Sequence, residues 1–517
     1  MANMSVELVE AQPEEQLAPS SATSLTSLKI WWPVLLASLA IAGINIAAIV
    51  VRMPYKCPLD PWESIIVSDA YRASAGLAVY TTPMLDHSTH IYGPLITYVT
   101  GFIFKFTGIN FWVARSLSVI GAACIVLTMA VIFFRKLPAV FICAGVAMLL
   151  GINLRTDGYF MQARPDMEAL AVALLALILM YHGFERNRYA LYGLGVLMLC
   201  VAYLFKQTAA MFALVPLIKL VLKRDGVTAG ELLMILAPPI AIGILIGVIR
   251  LAAPNVDYYM IEALARWPIQ YARLAYTVCV FLAFMPIVPA ALCLGLLWRR
   301  DERELTDRDR VLWLAAACII ATPASIVAFS KVGGVNNSYV PALFPLVTLS
   351  IILIARGWQT IIRTAHPPAR RAQAFAWLLT FIMLASAFSG SSDQLRTMNS
   401  PAHGDAHYPQ VVQYVSGLSG RVVCPDDPTI PIHALKQTGR SFWAENDATL
   451  ADTMPQYLIN EIRGADYLIT VKSPWPKYLM ISGLNSIGFY EEGWSGADMG
   501  AYTLWRKRVP SVPAAGR

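Results

Sequence analysis

The stretch that decides the architecture is Pro94–Thr107, Pro-Leu-Ile-Thr-Tyr-Val-Thr-Gly-Phe-Ile-Phe-Lys-Phe-Thr, with Gly108 after it. It is apolar enough to pass for a membrane span. It falls short, however, of the roughly 20 residues that a bilayer asks of a helix, and it carries Lys105. Counting it as a span would put Arg135-Lys136 on the outer side and invert every later loop. Read instead as a helix lying along or dipping into the outer interface, it leaves spans near residues 30–51, 111–134, 138–154, 167–183, 189–205, 208–222, 231–252, 275–298, 311–329, 340–355 and 372–388. With the N-terminus inside, the cytoplasmic joints hold Arg135-Lys136, Arg186 and Arg188, Lys223-Arg224, Arg299 to Arg310, and Arg356 to Arg371. All are basic, as orientation by Lys and Arg requires.

Composition agrees. The chain is 57% hydrophobic and 14% charged, with a mean hydropathy of +0.56, too little charge for a water-facing globule. The expected class is an α-helical polytopic membrane protein of about 11 transmembrane helices, embedded among membrane lipids. Its net charge of +7 lies largely in the short joints, so topology accounts for it and nucleic acid is not an expected partner. The eight cysteines are scattered without a CxxC pair or a Cys/His cluster, and read as packing residues. Residues 1–28 are polar and Ser/Thr-rich, a disordered cytoplasmic tail. Residues 29–388 form the membrane domain. After Ser389, short β-branched runs (Arg421 to Cys424, Tyr467 to Val471) alternate with helical patterns (Tyr408 to Leu418, Pro455 to Arg463), so residues 389–517 read as a small outer α/β domain, periplasmic or extracellular.

The outer loops concentrate charge. The first, residues 52–110, carries Asp60-Pro-Trp-Glu63, Asp69, Arg72, His87 and His90, with an amphipathic stretch from Glu63 to Tyr80. The second contains Arg164-Pro165-Asp166, the third is little more than Phe205-Lys206-Gln207-Thr208, the fourth has Asp257, Glu262, Arg266 and Arg273, and the fifth runs from Lys331 through Asn336-Asn337 to Tyr339. Each has a bland reading: Lys206 can snorkel to water, Asp166 can complement a helix dipole, and Glu63 can be a first-turn acid. Together they read as chemistry. Two carboxylates on separate loops can share a divalent cation, or one can act as base, and a lysine at that level can hold a phosphate. Outer-face chemistry has no nucleotide-sugar supply, so an activated donor must come through the lipid.

The order of motifs resembles the GT-C superfamily of membrane glycosyltransferases, particularly its ArnT, protein mannosyltransferase and RgtA/B/C/D-like branch. Trp62-Glu63 follows the first span; Gly76 and Tyr80, then Tyr92-Gly93-Pro94-Leu95, Gly108 and Arg115 come next, with Arg164-Pro165-Asp166, Lys206-Gln207 and Lys331 to Tyr339 further on. Coverage runs over roughly the first 360 residues. The family's first motif is often Asp-Glu, and Trp62 stands in the first of those places here.

The resemblance implies an inverting-type hexosyl- or pentosyltransferase of the cell (inner) membrane, moving a sugar from a polyprenyl-phosphate donor to a glycan, lipid or protein acceptor at the outer face. Glu63, alternatively Asp60, would deprotonate or orient the acceptor hydroxyl. Asp166 would help hold the acceptor or, with Glu63, a divalent cation (magnesium or manganese). Lys206, with Arg266 and Lys331, would bind the lipid phosphate, and Arg72, Tyr92, Arg164, Asn337 and Tyr339 would contact substrate. The rival readings are a transporter or flippase, for which Pro238-Pro239 and Pro286/Pro289 speak, a polysaccharide polymerase or ligase, and a non-catalytic assembly partner. Asp426-Asp427-Pro428 and Trp443 read as turn and packing residues.

Overall fold

A computed structural model of the chain describes residues 23–82, 87–222, 226–295, 305–364, 368–388, 407–449, 455–471, 488–492, 494 and 499–508. The tail over residues 1–22, Lys223-Arg224 and the stretch from Arg299 to Glu304 lie outside the described residues.

Within the described residues, every apolar run named above is helical apart from a break at Met285-Pro286. The membrane region comprises α1 (Thr23–Arg52), α4 (Phe111–Met129, continued by a wider π-turn Ala130–Phe134), α5 (Ala139–Arg155), α6 (Asp166–Glu185), α7 (Tyr189–Phe205), α8 (Ile218–Leu222), α9 (Ala229–Ala252), α12 (Tyr271–Phe284), α13 (Ile287–Gly295), α14 (Leu305–Ser330), α15 (Val340–Thr364) and α16 (Pro368–Phe388). Seven of the described helices are long and apolar enough to cross a membrane, and three further apolar helices are shorter, Ala139–Arg155, Tyr189–Phe205 and Gln207–Val221. The chain is a multi-pass helical membrane protein. Two of the expected spans differ in detail. The one over 275–298 is divided between α12 and α13 at Met285-Pro286, since Pro286 has no N–H for the ladder and its ring disfavours a helical residue before it. The one over 208–222 begins as a tight 3-10 coil, Gln207–Leu217, before relaxing into α8.

Between α1 and α4, two helices organise the described part of the first loop. Asp60 caps α2 (Pro61–Ser74), accepting from the backbone N–H of Trp62 at 2.8 Å, with Pro61 at the first helical position. The helix is shorter than its amphipathic pattern and stops where Gly76 turns to φ +73°. Helix α3 is Pro94–Thr107, the deciding stretch of the sequence. Its 14 residues rise about 21 Å, less than the hydrocarbon thickness of about 30 Å. One face, with Ile96, Thr97, Gly101 and Phe104, is buried, while Tyr98, Phe102 and Phe106 point away from the protein. At Gly101 a Cβ would come within 2.7 Å of the Ala70 carbonyl, so α3 crosses α2 backbone to backbone.

Two short helices, α10 (Pro254–Asp257) and α11 (Ala263–Ala265), lead from α9 toward α12. Beyond α16 lie α17 (Tyr408–Ser416), β1 (Val422–Val423), α18 (Thr429–Leu435), α19 (Phe442–Thr449), α20 (Gln456–Arg463), β2 (Tyr467–Val471), β3 (Phe489–Glu491) and β4 (Tyr502–Lys507). The strands form one mixed sheet in the order β1-β2-β4-β3, parallel between β1 and β2 and antiparallel elsewhere. This α/β unit shares its cores with the outer loop. Val67, Ala70, Phe104, Phe111 and Ala163 cluster with Val411, Val422, Ile469 and Leu504. Ile65 joins Val423, Phe442, Trp443, Leu458 and Trp505.

Candidate active site

Asp60 and Glu63 lie three residues apart at the start of α2, and the structure gives them different environments. The Glu63 carboxylate is fully buried and faces Arg115, likewise fully buried, through two charge-assisted bonds of 2.8 and 2.7 Å. It also accepts from the backbone N–H of Leu59 (2.7 Å) and Ala163 (2.8 Å). The guanidinium donates further to the carbonyls of Met53, Tyr55 and Cys57. Both Glu63 oxygens are therefore engaged, and the pair ties loop one to α4 and to the loop before α6. This is the arrangement of a structural ion pair. Asp60 keeps 20% of its side chain exposed, against 2% for Asp166. Beyond capping α2, it forms an ion pair with Arg164.

Behind Trp62 and Arg164 lies a cavity of about 510 Å³. Its polar wall is Trp62, Tyr92, Arg164, Lys206, Lys331 and Asn337, and its apolar wall includes Pro323, Ala324, Val327 and Ala328 of α14. Among the described lining residues there are three cations and no Asp or Glu. The acids stand one layer back. Lys206 donates to Asp166 at 2.5 Å and lies 5.2 Å from the Tyr92 ring centre, and Arg164 donates to the Tyr92 hydroxyl at 3.2 Å. Lys331 is steadied by a carbonyl, that of Leu264 at 2.9 Å. Such a wall attracts an anion.

The Tyr92-Gly93-Pro94 motif sets this geometry. Gly93 N–H donates to the Phe205 carbonyl at 3.1 Å, and a Cβ at Gly93 would overlap the Leu204 carbonyl. Only glycine lets Tyr92 lie against the end of α7, next to Lys206. From the other side, Tyr92 N–H donates to His90 Nδ1 (3.2 Å), whose Nε2 then carries the proton toward Thr97 Oγ1 at 2.5 Å. Burial pulls the His90 pKa down to about 4, so the ring is neutral at neutral pH.

The terminal α/β unit backs the wall. Asp447 of α19 accepts from Trp62 Nε1 at 2.7 Å, its carbonyl accepts from Trp267 Nε1 at 3.2 Å, and Trp443 packs on Trp62 at 4.9 Å. Trp62 in turn backs the Arg164 guanidinium at 5.1 Å. Glu445 accepts from Ser88 at 2.5 Å and from Arg440 at 2.9 Å. Burial pushes the Asp447 carboxyl up to about 7, against the lowering effects of the Trp62 N–H and of Arg164. Nothing in the sequence marks Asp447 or Trp267, because both reach the cavity wall through tertiary contacts. Trp443, expected as a packing residue, packs against the site itself.

Of the residues singled out from the sequence, Tyr92, Arg164, Lys206, Lys331 and Asn337 come together on this cavity, with Asp60 and Asp166 behind it. Four stand apart. Glu63 is consumed by Arg115. Arg72 donates to the Ala78 carbonyl, closing the turn after α2. Arg266 is exposed and stacks on Tyr258 at 5.1 Å. Tyr339 is buried against Phe329 at 4.5 Å. A divalent cation held jointly by Glu63 and Asp166 does not fit, since Asp166 alone keeps a free buried oxygen. Among the described residues no group of three or more His, Cys, Asp or Glu side chains gathers at a common point.

No protein-family model matches this sequence, and no curated protein matches it. Solved structures do. ArnT from Cupriavidus metallidurans in the apo state superposes with a TM-score of 0.56 at 15% identity, over 94% of this chain and 98% of that one. The same protein bound to undecaprenyl phosphate gives 0.54 at 14% identity, over 91% and 97%. The likeness spans the helical bundle, the outer loop and the terminal α/β unit alike, and it bears out the GT-C-like architecture expected from the motif order: this chain has the ArnT fold.

Proposed function

We propose that the protein is a glycosyltransferase that moves a hexose or pentose from a polyprenyl-phosphate donor to an acceptor hydroxyl. The observation that carries this is the lining of the cavity. Its three cations match a lipid phosphate, and the apolar face of α14 in the same lining matches a prenyl chain. Trp62, Tyr92 and Trp267 offer flat apolar surfaces to a sugar ring between them. The neighbouring fold in its undecaprenyl-phosphate complex supports the same ligand class.

In this reading Asp60 is the general base, because it is the least buried carboxylate of the three candidates and stands behind Arg164, whose ion pair with it opens to admit the acceptor. It takes the acceptor proton while the acceptor oxygen attacks the anomeric carbon with inversion. The bond from that carbon to the phosphate oxygen breaks, and polyprenyl phosphate leaves with its new charge held by Lys206 and Lys331. Asp166 holds Lys206 in place until the phosphate arrives. Arg164, backed by Trp62 and paired with Asp60, sets the base beside the donor. No step runs through a metal. The basic joints support an N-terminus in the cytoplasm, with the cavity and the α/β unit on the outer side of the cell membrane.

The test is transfer by the full chain in proteoliposomes containing a polyprenyl-phosphate sugar, with mass spectrometry of surface glycans from cells with and without the gene defining sugar and acceptor. Asp60→Asn should lower kcat by about two to four orders of magnitude, the usual contribution of a general base. Lys206→Ala should lower donor affinity by one to two orders of magnitude, about the effect of losing a charge-assisted hydrogen bond. Full activity in both variants overturns the assignment.

A further inference from the structure

The face of the bundle opposite the candidate active site carries two adjoining hollows. The first lies where α4 passes into α5, under α14 and α15, and is lined by Arg135, Lys136, Arg310 and Arg356 together with Phe133 and Ile352. Among its described lining residues there is no carboxylate. The second is a slot between α4, α6 and α14, walled by Leu174, Leu177, Ile178, Trp313 and Leu314. The two share Ile132, Phe133 and Arg310, so the cationic hollow adjoins the apolar slot. The shared residues Ile132 and Phe133 belong to the π-turn that ends α4, an element common where helices serve a function.

Two further facts point to a ligand. Trp313 is 5% exposed, and its Nε1 is buried with no partner; Arg310 Nε, at the junction of the hollows, is likewise buried without one. Both are donors, so what is missing is an acceptor. The nearby acids do not supply it, because Glu185 and Asp309 both take their bonds from Lys219, at 2.6 and 3.2 Å.

We infer that this is a binding site for one anionic glycerophospholipid of the leaflet opposite the active site. Its phosphate sits among Arg135, Arg310 and their basic neighbours, its ester oxygens accept from Trp313 Nε1, and the first carbons of one acyl chain enter the slot, of about 40 Å³, while the rest lies along the lipid-facing surface. Basic pockets between transmembrane helices are suited to anionic head groups, and an acyl chain is the ligand a continuous apolar slot beside them selects. Bound there, the lipid would tie the ends of α4, α6, α14 and α15 together. The inference does not depend on the transfer reaction.

Native mass spectrometry of the purified full chain, titrated with phosphatidylglycerol or with phosphatidylcholine of the same acyl chains, tests it. Phosphatidylglycerol should bind preferentially, and Arg135→Gln with Arg310→Gln should weaken it about thirtyfold, at roughly fivefold per cation removed near a membrane surface. Trp313→Phe keeps the packing and removes only the N–H, so it tests the site even if the double variant fails to fold. It should weaken binding about fivefold, the worth of one hydrogen bond. Equal binding of the two lipids overturns the inference, as does unchanged phosphatidylglycerol binding in the variants. Displacement by glycerol phosphate as effective as by the intact lipid would make this a free-phosphate site and overturn it equally.

Discussion

Glu63→Gln separates structure from catalysis at the start of α2. The motif order makes Glu63 the leading candidate for the base, and a catalytic loss without a folding loss would then follow. The geometry reverses that expectation. Glu63 accepts four hydrogen bonds, two of them from a fully buried guanidinium. A glutamine offers a single oxygen, and its amide turns two N–H groups toward donors already in place. Arg115 keeps its three carbonyl contacts but loses the buried counter-charge. Breaking one side of a buried pair costs about 3–5 kcal/mol, a large share of a typical folding free energy of about 5–15 kcal/mol. The assay is denaturant or thermal unfolding in detergent, followed by transfer activity per folded molecule below the transition. The variant should unfold much earlier than the wild type and keep most of its activity while folded. A variant as stable as the wild type that has lost transfer would refute the structural role and restore Glu63 as the base.

Two other perturbations follow from the same site. Asp447→Asn removes a carboxyl with a raised pKa of about 7. Wild-type activity should climb as pH rises through 7, when the ionised Asp447 grips the Trp62 indole more firmly, and the asparagine variant should lack that step; an unchanged pH profile counts against it. Stability runs the other way. The stabilisation from this carboxyl is complete below its unfolded pKa near 4 and is lost as pH rises through about 7, so in the wild type stability falls over that window while activity climbs. Gly93→Ala should cost about 1–3 kcal/mol of stability by overpacking and pull Tyr92 off Lys206, because its Cβ would overlap the Leu204 carbonyl. A variant with wild-type melting and donor affinity would show that the contact is dispensable.

The membrane architecture was legible because its signal is local. A span announces itself by twenty neighbouring side chains, and a basic joint by two or three. The exception, Pro94–Thr107, is a helix too short to span, as its length indicates, and its row of Tyr98, Phe102 and Phe106 is what an interface helix presents. The broken span at Pro286 was half visible: the proline was plain, but whether a helix kinks or stops depends on what packs around it. Site roles were less legible because they rest on partners far along the chain. Glu63 looks like any first-turn acid until Arg115, 52 residues on, meets it. Asp60 and Glu63 differ in no local feature that tells a base from an anchor. The same distance hides Asp447, whose hydrogen-bond partner Trp62 lies 385 residues earlier.

That separation has a consequence for biogenesis. The Trp62 side of the cavity wall has no backing until α19, made long after α2, has folded against it. A ribosome that stops early, or a protease that clips the tail, leaves the helical bundle inserted with Trp62 lacking its Asp447 acceptor and α2 stripped of its cover. A chain that lacks the α/β unit thus loses the cover of the apolar residues Ile65 and Val67, which cluster with Val423 and Val411 of that unit.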